Sequence, residues 1–261
     1  PEYVGGFQGM EAQKWIVRIE KMYNEYAKAK MGPEFINKED FQIVSKFNKK
    51  NVKDDAVMEF MVKNLETYMN KLGEAPGILL VEYNNNVIGE LARAGKDEYK
   101  KYLERINGEL EAAYAIMPTG ALTPYEKFKY YYDGMYLLSY KKDVASYVEL
   151  MNKYLAALGD QVGANDYGEI AQNMYVLNNE QLGQVKDWLV KAMQYEGTGL
   201  IDRINFVTML GDTYKALKEF DKAKEAYNQG YMEALQIENK MRVAQIQMII
   251  KRKLQALELA K

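Results

Sequence analysis

Apolar residues recur along this chain at steps of three and four, the spacing that lines one face of a helix. Trp15, Ile19, Met22 and Tyr26 mark a helix across about 11–30, and Gly32-Pro33 ends it. Asn37 followed by Asp40 signals the next start, with Phe41, Val44 and Phe47 on one face. Asp54 and Asp55 open a third helix whose stripe is Val57, Met61, Leu65, Tyr68 and Leu72. Gly73 is its natural stop. The five prolines, at 1, 33, 76, 118 and 124, all read as connector positions.

From about residue 76 the pattern becomes regular, and helix pairs can be laid out around short polar turns. The turns fall at Gly95-Lys96-Asp97, Lys141-Lys142-Asp143, Asn179-Glu180-Gln181-Leu182 and Lys218-Glu219-Phe220. With Asp97, Asp143, Leu182 and Phe220 as equivalent positions, the spacings are 46, 39 and 38 residues. A drifting period near 40 is what degenerate helical repeats give. On this register Gly134 takes the place of Gly211, and Ala192 that of Gly230. The expected organisation is an N-terminal helical section over 1–75 and a repeat array over 76–261. The helix at about 239–260 either continues the one before it or caps the array. Capping is the favoured reading, with homodimerisation through that helix as the alternative. Lys251-Arg252-Lys253 suits the negative end of its dipole.

The stretch 207–230, VTMLGDTYKALKEFDKAKEAYNQG, resembles a tetratricopeptide repeat. Leu210-Gly211, Tyr214, Phe220 and Ala223 stand in the family's order, with Tyr227 and Gly230 following. Lys218 stands where the turn glycine is usual, and the closing proline is missing. The resemblance implies an all-α fold, a stack of antiparallel helix pairs in a tetratricopeptide-like α-solenoid. Its weaker copies bring the match to roughly residues 78–237.

A second resemblance concerns the first 73 residues. Tyr3-Val4-Gly5-Gly6-Phe7 and the helix with Trp15, Ile16 and Ile19 look like the last strand and helix of a thioredoxin fold. Asp54 to Gly73 looks like the helical region that follows that domain in exported bacterial thioredoxin-like proteins. This implies the helical C-terminal half of such a protein and, with it, a periplasmic site. The chain has no cysteine, so it carries no thiol for disulfide exchange.

Histidine is absent as well. The commonest general base is therefore missing, and so are the usual zinc ligand sets. Ser45, Ser139 and Ser146 are the only serines, and none lies in a nucleophile elbow. Gly89…Gly95-Lys96-Asp97 mimics a phosphate loop but has the wrong length, and Asp replaces the magnesium-binding hydroxyl. It reads as a helix–helix turn. Asp160…Asn165-Asp166-Gly168-Glu169 lacks the alternating ligands of a calcium loop and reads as a polar turn before a helix. Among 37 acidic residues no pair stands out for glycoside hydrolysis. No cofactor, metal or catalytic residue is expected. A net charge of −2 argues against nucleic acid, and no apolar run reaches membrane-spanning length.

What remains is a non-catalytic module that binds a protein or peptide partner. The first helix of each pair is expected to line the groove. In the 207–230 repeat, Val207, Leu210, Tyr214 and Leu217 share the buried stripe. Asn205, Thr208, Asp212 and Lys215 share the opposite face. The same register selects Asn85 and Arg93, then Tyr131 and Ser139, then Asn178. Tyrosine is abundant, at 22 residues, and densest over Tyr125–Tyr140. Most of these aromatics are expected to lock the core. A glycan or small-ligand binder using groove tyrosines is the alternative function.

Overall fold

The computed structural model describes residues 10–48, 51–118, 120–178 and 180–260. The fold is all-α. Among the described residues there is no strand, and helices pack mainly on their neighbours in sequence. Tyr3–Phe7, where a strand is expected, and Asn179 lie outside the described residues. Two compact units form, one from residues up to 92 with 96–119, the other from 93–95 with 120–261. The division follows packing and does not fall at 75/76, where the regular spacing begins.

The first unit holds α1 (Met10–Lys30), α2 (Lys38–Phe47), α3 (Ala56–Lys63), α4 (Leu65–Leu72), α5 (Ala75–Arg93, less its last residue), α6 (Glu98–Glu109) and the single turn α7 (Glu111–Tyr114). Tyr23 and Ala27 form the buried side of α1, while Trp15 and Met22 face solvent. The expected stripe is thus rotated, because only the second half of α1 packs on the fold. Asn37 caps α2 as its position suggests, its Oδ1 accepting the Asp40 N–H at 2.9 Å. The Asp40 side chain is buried and ties the two helices together. It accepts from the Tyr26 hydroxyl, from Lys30 Nζ at 3.3 Å and from Asn37 Nδ2 at 2.7 Å.

The helix expected from Asp54 to Gly73 is two helices. Asn64 leaves the helical conformation, at φ −114° and ψ 18°, and its side chain takes the Phe60 carbonyl at 2.8 Å. This local bond competes with helix continuation, as Asn side chains do. The apolar stripe survives the break, since Val57, Met61, Leu65 and Tyr68 are all buried. Phe35, Phe60 and Tyr68 meet edge to face at 6.1 and 6.5 Å. Arg105 of α6 forks onto Glu59 of α3 with two bonds of 2.9 Å.

The second unit holds α8 (Pro124–Tyr136), α9 (Val144–Leu158), α10 (Ala164–Leu177), α11 (Leu182–Met193), α12 (Leu200–Ala216), α13 (Phe220–Glu233) and α14 (Lys240–Glu258). A capping box starts α8: Thr123 Oγ1 accepts the Glu126 N–H at 3.2 Å, and Glu126 Oε2 accepts the Thr123 N–H at 2.8 Å. Its end loosens into a π-turn over Leu137–Lys141. The positions used to align the repeats mark the second helices of the pairs. Asp97 and Asp143 precede α6 and α9, and Leu182 and Phe220 open α11 and α13. The last helix is separate from α13, interrupted by a 3-10 turn at Ala234–Gln236 and started by the cap Asn239. Lys251-Arg252-Lys253 do not lie in its last turn, so they do not complement the dipole there.

Close approach holds these pairs together. A Cβ at Gly134 would lie 2.9 Å from the Tyr147 ring, and one at Gly211 2.6 Å from the Tyr227 ring. At Gly168 a Cβ would lie 2.1 Å from Phe206. Tyr147 and Tyr227 are buried, and their hydroxyls donate to the Ile170 carbonyl at 3.0 Å and to Asp212 at 2.7 Å. Tyr147 also meets Trp188 edge-on at 6.2 Å. At the α12–α13 turn Lys218 takes the left-handed conformation, φ 62°, that a glycine adopts more cheaply.

Two outcomes are expected. Gly211→Leu forces its side chain into the Tyr227 ring, so it should cost about 1–3 kcal/mol and lower the melting temperature by roughly 3–10 °C. An unchanged melting curve would show that the contact does not constrain the pair. Burial raises the phenols of Tyr23, Tyr68, Tyr102 and Tyr114 from 10.0 to about 12. A group whose folded pKa is raised contributes stability below its unfolded pKa and loses it as pH rises through the folded one. Alkaline unfolding, followed by circular dichroism, should therefore begin near pH 10 and be complete by about pH 12, with phenolate absorbance rising in step.

Candidate functional site

Three first-of-pair helices in the second unit contribute to one surface. Tyr131 of α8 is 38% exposed, and its ring leans edge-on against Tyr132 at 5.2 Å. Its phenol is nevertheless pushed up by the protein around it, with Arg93 lowering and Glu169 raising it. Glu169 of α10 reaches solvent too, yet its carboxyl is raised by surrounding protein and then by Asp166 and Asp202. Tyr131, Glu169 and Asp202 form a row on α8, α10 and α12, each within electrostatic reach of the next.

The acidic residues of this row form no ion pair: none among the described residues involves Asp166, Glu169 or Asp202. Asp166 is occupied otherwise. It accepts the Tyr154 hydroxyl at 2.7 Å and the Gly163 N–H at 2.8 Å, which starts α10. Asp166, Gly168 and Glu169 thus belong to the helix itself and not to a turn before it. Among the described residues no group of three acidic side chains is disposed to hold a metal ion. The arrangement offers negative charge and an open phenol ring to a cationic side chain, through charge and ring face together.

The residues selected by register scatter around this row. Arg93 and Tyr131 come together in it, the exposed guanidinium acting on the phenol. Ser139 lies in the π-turn, half-buried, its Oγ without a hydrogen-bond partner. Asn178 closes α10, its side chain accepting the Glu180 N–H at 3.2 Å. Asn85 belongs to the first unit and is half-buried on α5. Asn205 is exposed on α12, and Lys215 is half-buried.

Thr208 and Asp212 are engaged in packing. A Cβ at Gly230 of α13 would lie 3.2 Å from Thr208 Oγ1. Asp212 accepts the Tyr227 hydroxyl at 2.7 Å and Lys253 Nζ of α14 at 2.7 and 2.6 Å, so one carboxylate ties three helices. The residues that neighbours bury on α12, Ile204, Phe206, Val207, Leu210, Gly211 and Thr213, lie on the opposite half of its girth, and Thr208 and Asp212 are half-buried. The register missed Glu169 and Asp202. Their signal is visible: neither has a Lys or Arg three or four residues away, and α10 contains no cation at all.

Asp212→Ala leaves the Tyr227 hydroxyl and Lys253 without their acceptor. It should cost about 1–3 kcal/mol in chemical denaturation, whereas Lys215→Ala should stay within about 0.5 kcal/mol. Equal effects would remove Asp212 from the packing.

No protein-family model matches the chain, and neither does any curated protein or solved structure.

Proposed function

We propose that the second unit is a non-catalytic interaction module that takes a segment of a protein partner along α8, α10 and α12. The observation that carries this is the row of Tyr131, Glu169 and Asp202 on three successive first helices, within electrostatic reach of one another, with neither carboxylate in an ion pair among the described residues. The tetratricopeptide-like order around Gly211 supports it, since stacked helix pairs of that kind present their first helices on one face. The partner segment that fits has a Lys or Arg to meet Glu169 and Asp202, next to an apolar or aromatic group against Tyr131. Asn205 extends the same helix face as Asp202, three residues on. The likeness of residues 3–19 and 54–73 to parts of exported bacterial thioredoxin-like proteins supports reading the module as part of such a protein.

The test is selection from a random peptide array, followed by fluorescence anisotropy on the selected peptides. Selected peptides should be enriched in Lys or Arg. Tyr131→Ala and Glu169→Lys should each weaken binding by about tenfold or more without lowering the melting temperature. Failure of the array to select any peptide, or binding indifferent to both substitutions, would overturn the proposal.

A further inference from the structure

The outer face of α14 carries a second surface, independent of the row on α8, α10 and α12. Ile250 and Leu257 are buried against α13, with Ile246 and Leu254 beside them. At about 100° per residue, Met241 and Met248 lie about 160–180° around the helix from Ile250. They point to solvent, 76% and 48% exposed, and Ile249 on one flank is 50% exposed.

Charge is concentrated on the same helix. It bears Lys240, Arg242, Lys251, Arg252 and Lys253 against the single acid Glu258, in a chain whose net charge is −2. Lys253 is spent on Asp212. The other four cations form no ion pair among the described residues. Lys240 and Lys251, eleven residues apart, share one flank of the ridge, and Arg242 shares the other with Ile249. Arg252 lies beside Met248, its Nη2 3.9 Å from the sulfur. The surface is thus a flexible methionine ridge between cationic flanks, a kind of surface that adapts to a helical ligand.

We propose that this face docks an acidic amphipathic helix of a partner protein, its apolar ridge on Met241 and Met248 and its carboxylates against Lys240, Arg242, Lys251 and Arg252. A second copy of the chain fits poorly. A two-fold axis through the middle of α14, at Ile249, sets Lys251 and Arg252 only about 6 and 9 Å along the helix from their own counterparts, like charge near like. A bilayer fits poorly as well. Gln245 and Gln255 flank the ridge, and lipid tails offer their amides no hydrogen bond, whereas a partner's polar side chains do.

The probe is a synthetic amphipathic peptide of about 18 residues, five turns, with leucines on one face and glutamates on both flanks. Its control replaces each glutamate by lysine. In anisotropy measurements the glutamate peptide should bind at least about tenfold more tightly than the lysine peptide, and more weakly as salt rises from about 50 to 200 mM. Arg252→Glu and Met248→Glu should each weaken it by about tenfold or more with unchanged melting curves. Equal binding of both peptides, or no loss in either variant, would overturn the proposal. So would a dimer in sedimentation that Met248→Glu dissociates, which assigns the face to a second copy. Preferential binding to vesicles with about 30% phosphatidylserine, lost in the same variant, would assign it to a membrane surface and overturn it equally.

Discussion

The second unit depends on how closely α12 and α13 approach at Gly211. With no side chain at that point, the Tyr227 ring rests on the backbone of the opposite helix, and its hydroxyl reaches Asp212 one residue further on. The same carboxylate holds Lys253, so the position of α14 is set through the contact that sets α13. Burial of a large ring supplies the energy. The hydroxyl supplies direction, since a buried donor must find its acceptor and only one registry of the two helices provides it.

The arrangement recurs with different partners. Gly134 and Tyr147 repeat it between α8 and α9, with the hydroxyl handed on to the Ile170 carbonyl of α10. Gly168 lets Phe206 of α12 lie against α10, linking one first helix to the next. Within the unit, small residues on first helices receive aromatic rings from helices later in the chain. The first unit relies on other means: an aromatic row of Phe35, Phe60 and Tyr68, a buried Asp40 and a forked Arg105–Glu59 pair.

Much of the helical layout was legible in the sequence, because its signals are local. Caps at Asn37 and Asp55, the stop at Gly73 and the repeat anchors at Asp143, Leu182 and Phe220 all fall at helix ends. The break at Asn64 was not legible, because the apolar stripe runs through it without a change of period. The candidate site was harder to read. Periodicity assigns one inner and one outer face to a helix, but side chains of α13 and α14 reach round to the outer face of α12 and engage Thr208 and Asp212 there. Glu169 and Asp202 needed a different kind of signal, the lack of a cation three or four residues away.

Lys142 and Lys218 sit at the turns of two helix pairs in the left-handed conformation, which costs a residue with a side chain roughly 1–2 kcal/mol. Neither turn therefore favours its own hairpin in an otherwise unfolded chain. Each closes at a loss that only the packed helices offset. The helix pairs around these turns have no local seed, and their order of formation is set by contacts between helices. Folding of this unit should accordingly proceed as one cooperative step and not pair by pair, a departure from the independence that a repeating architecture suggests.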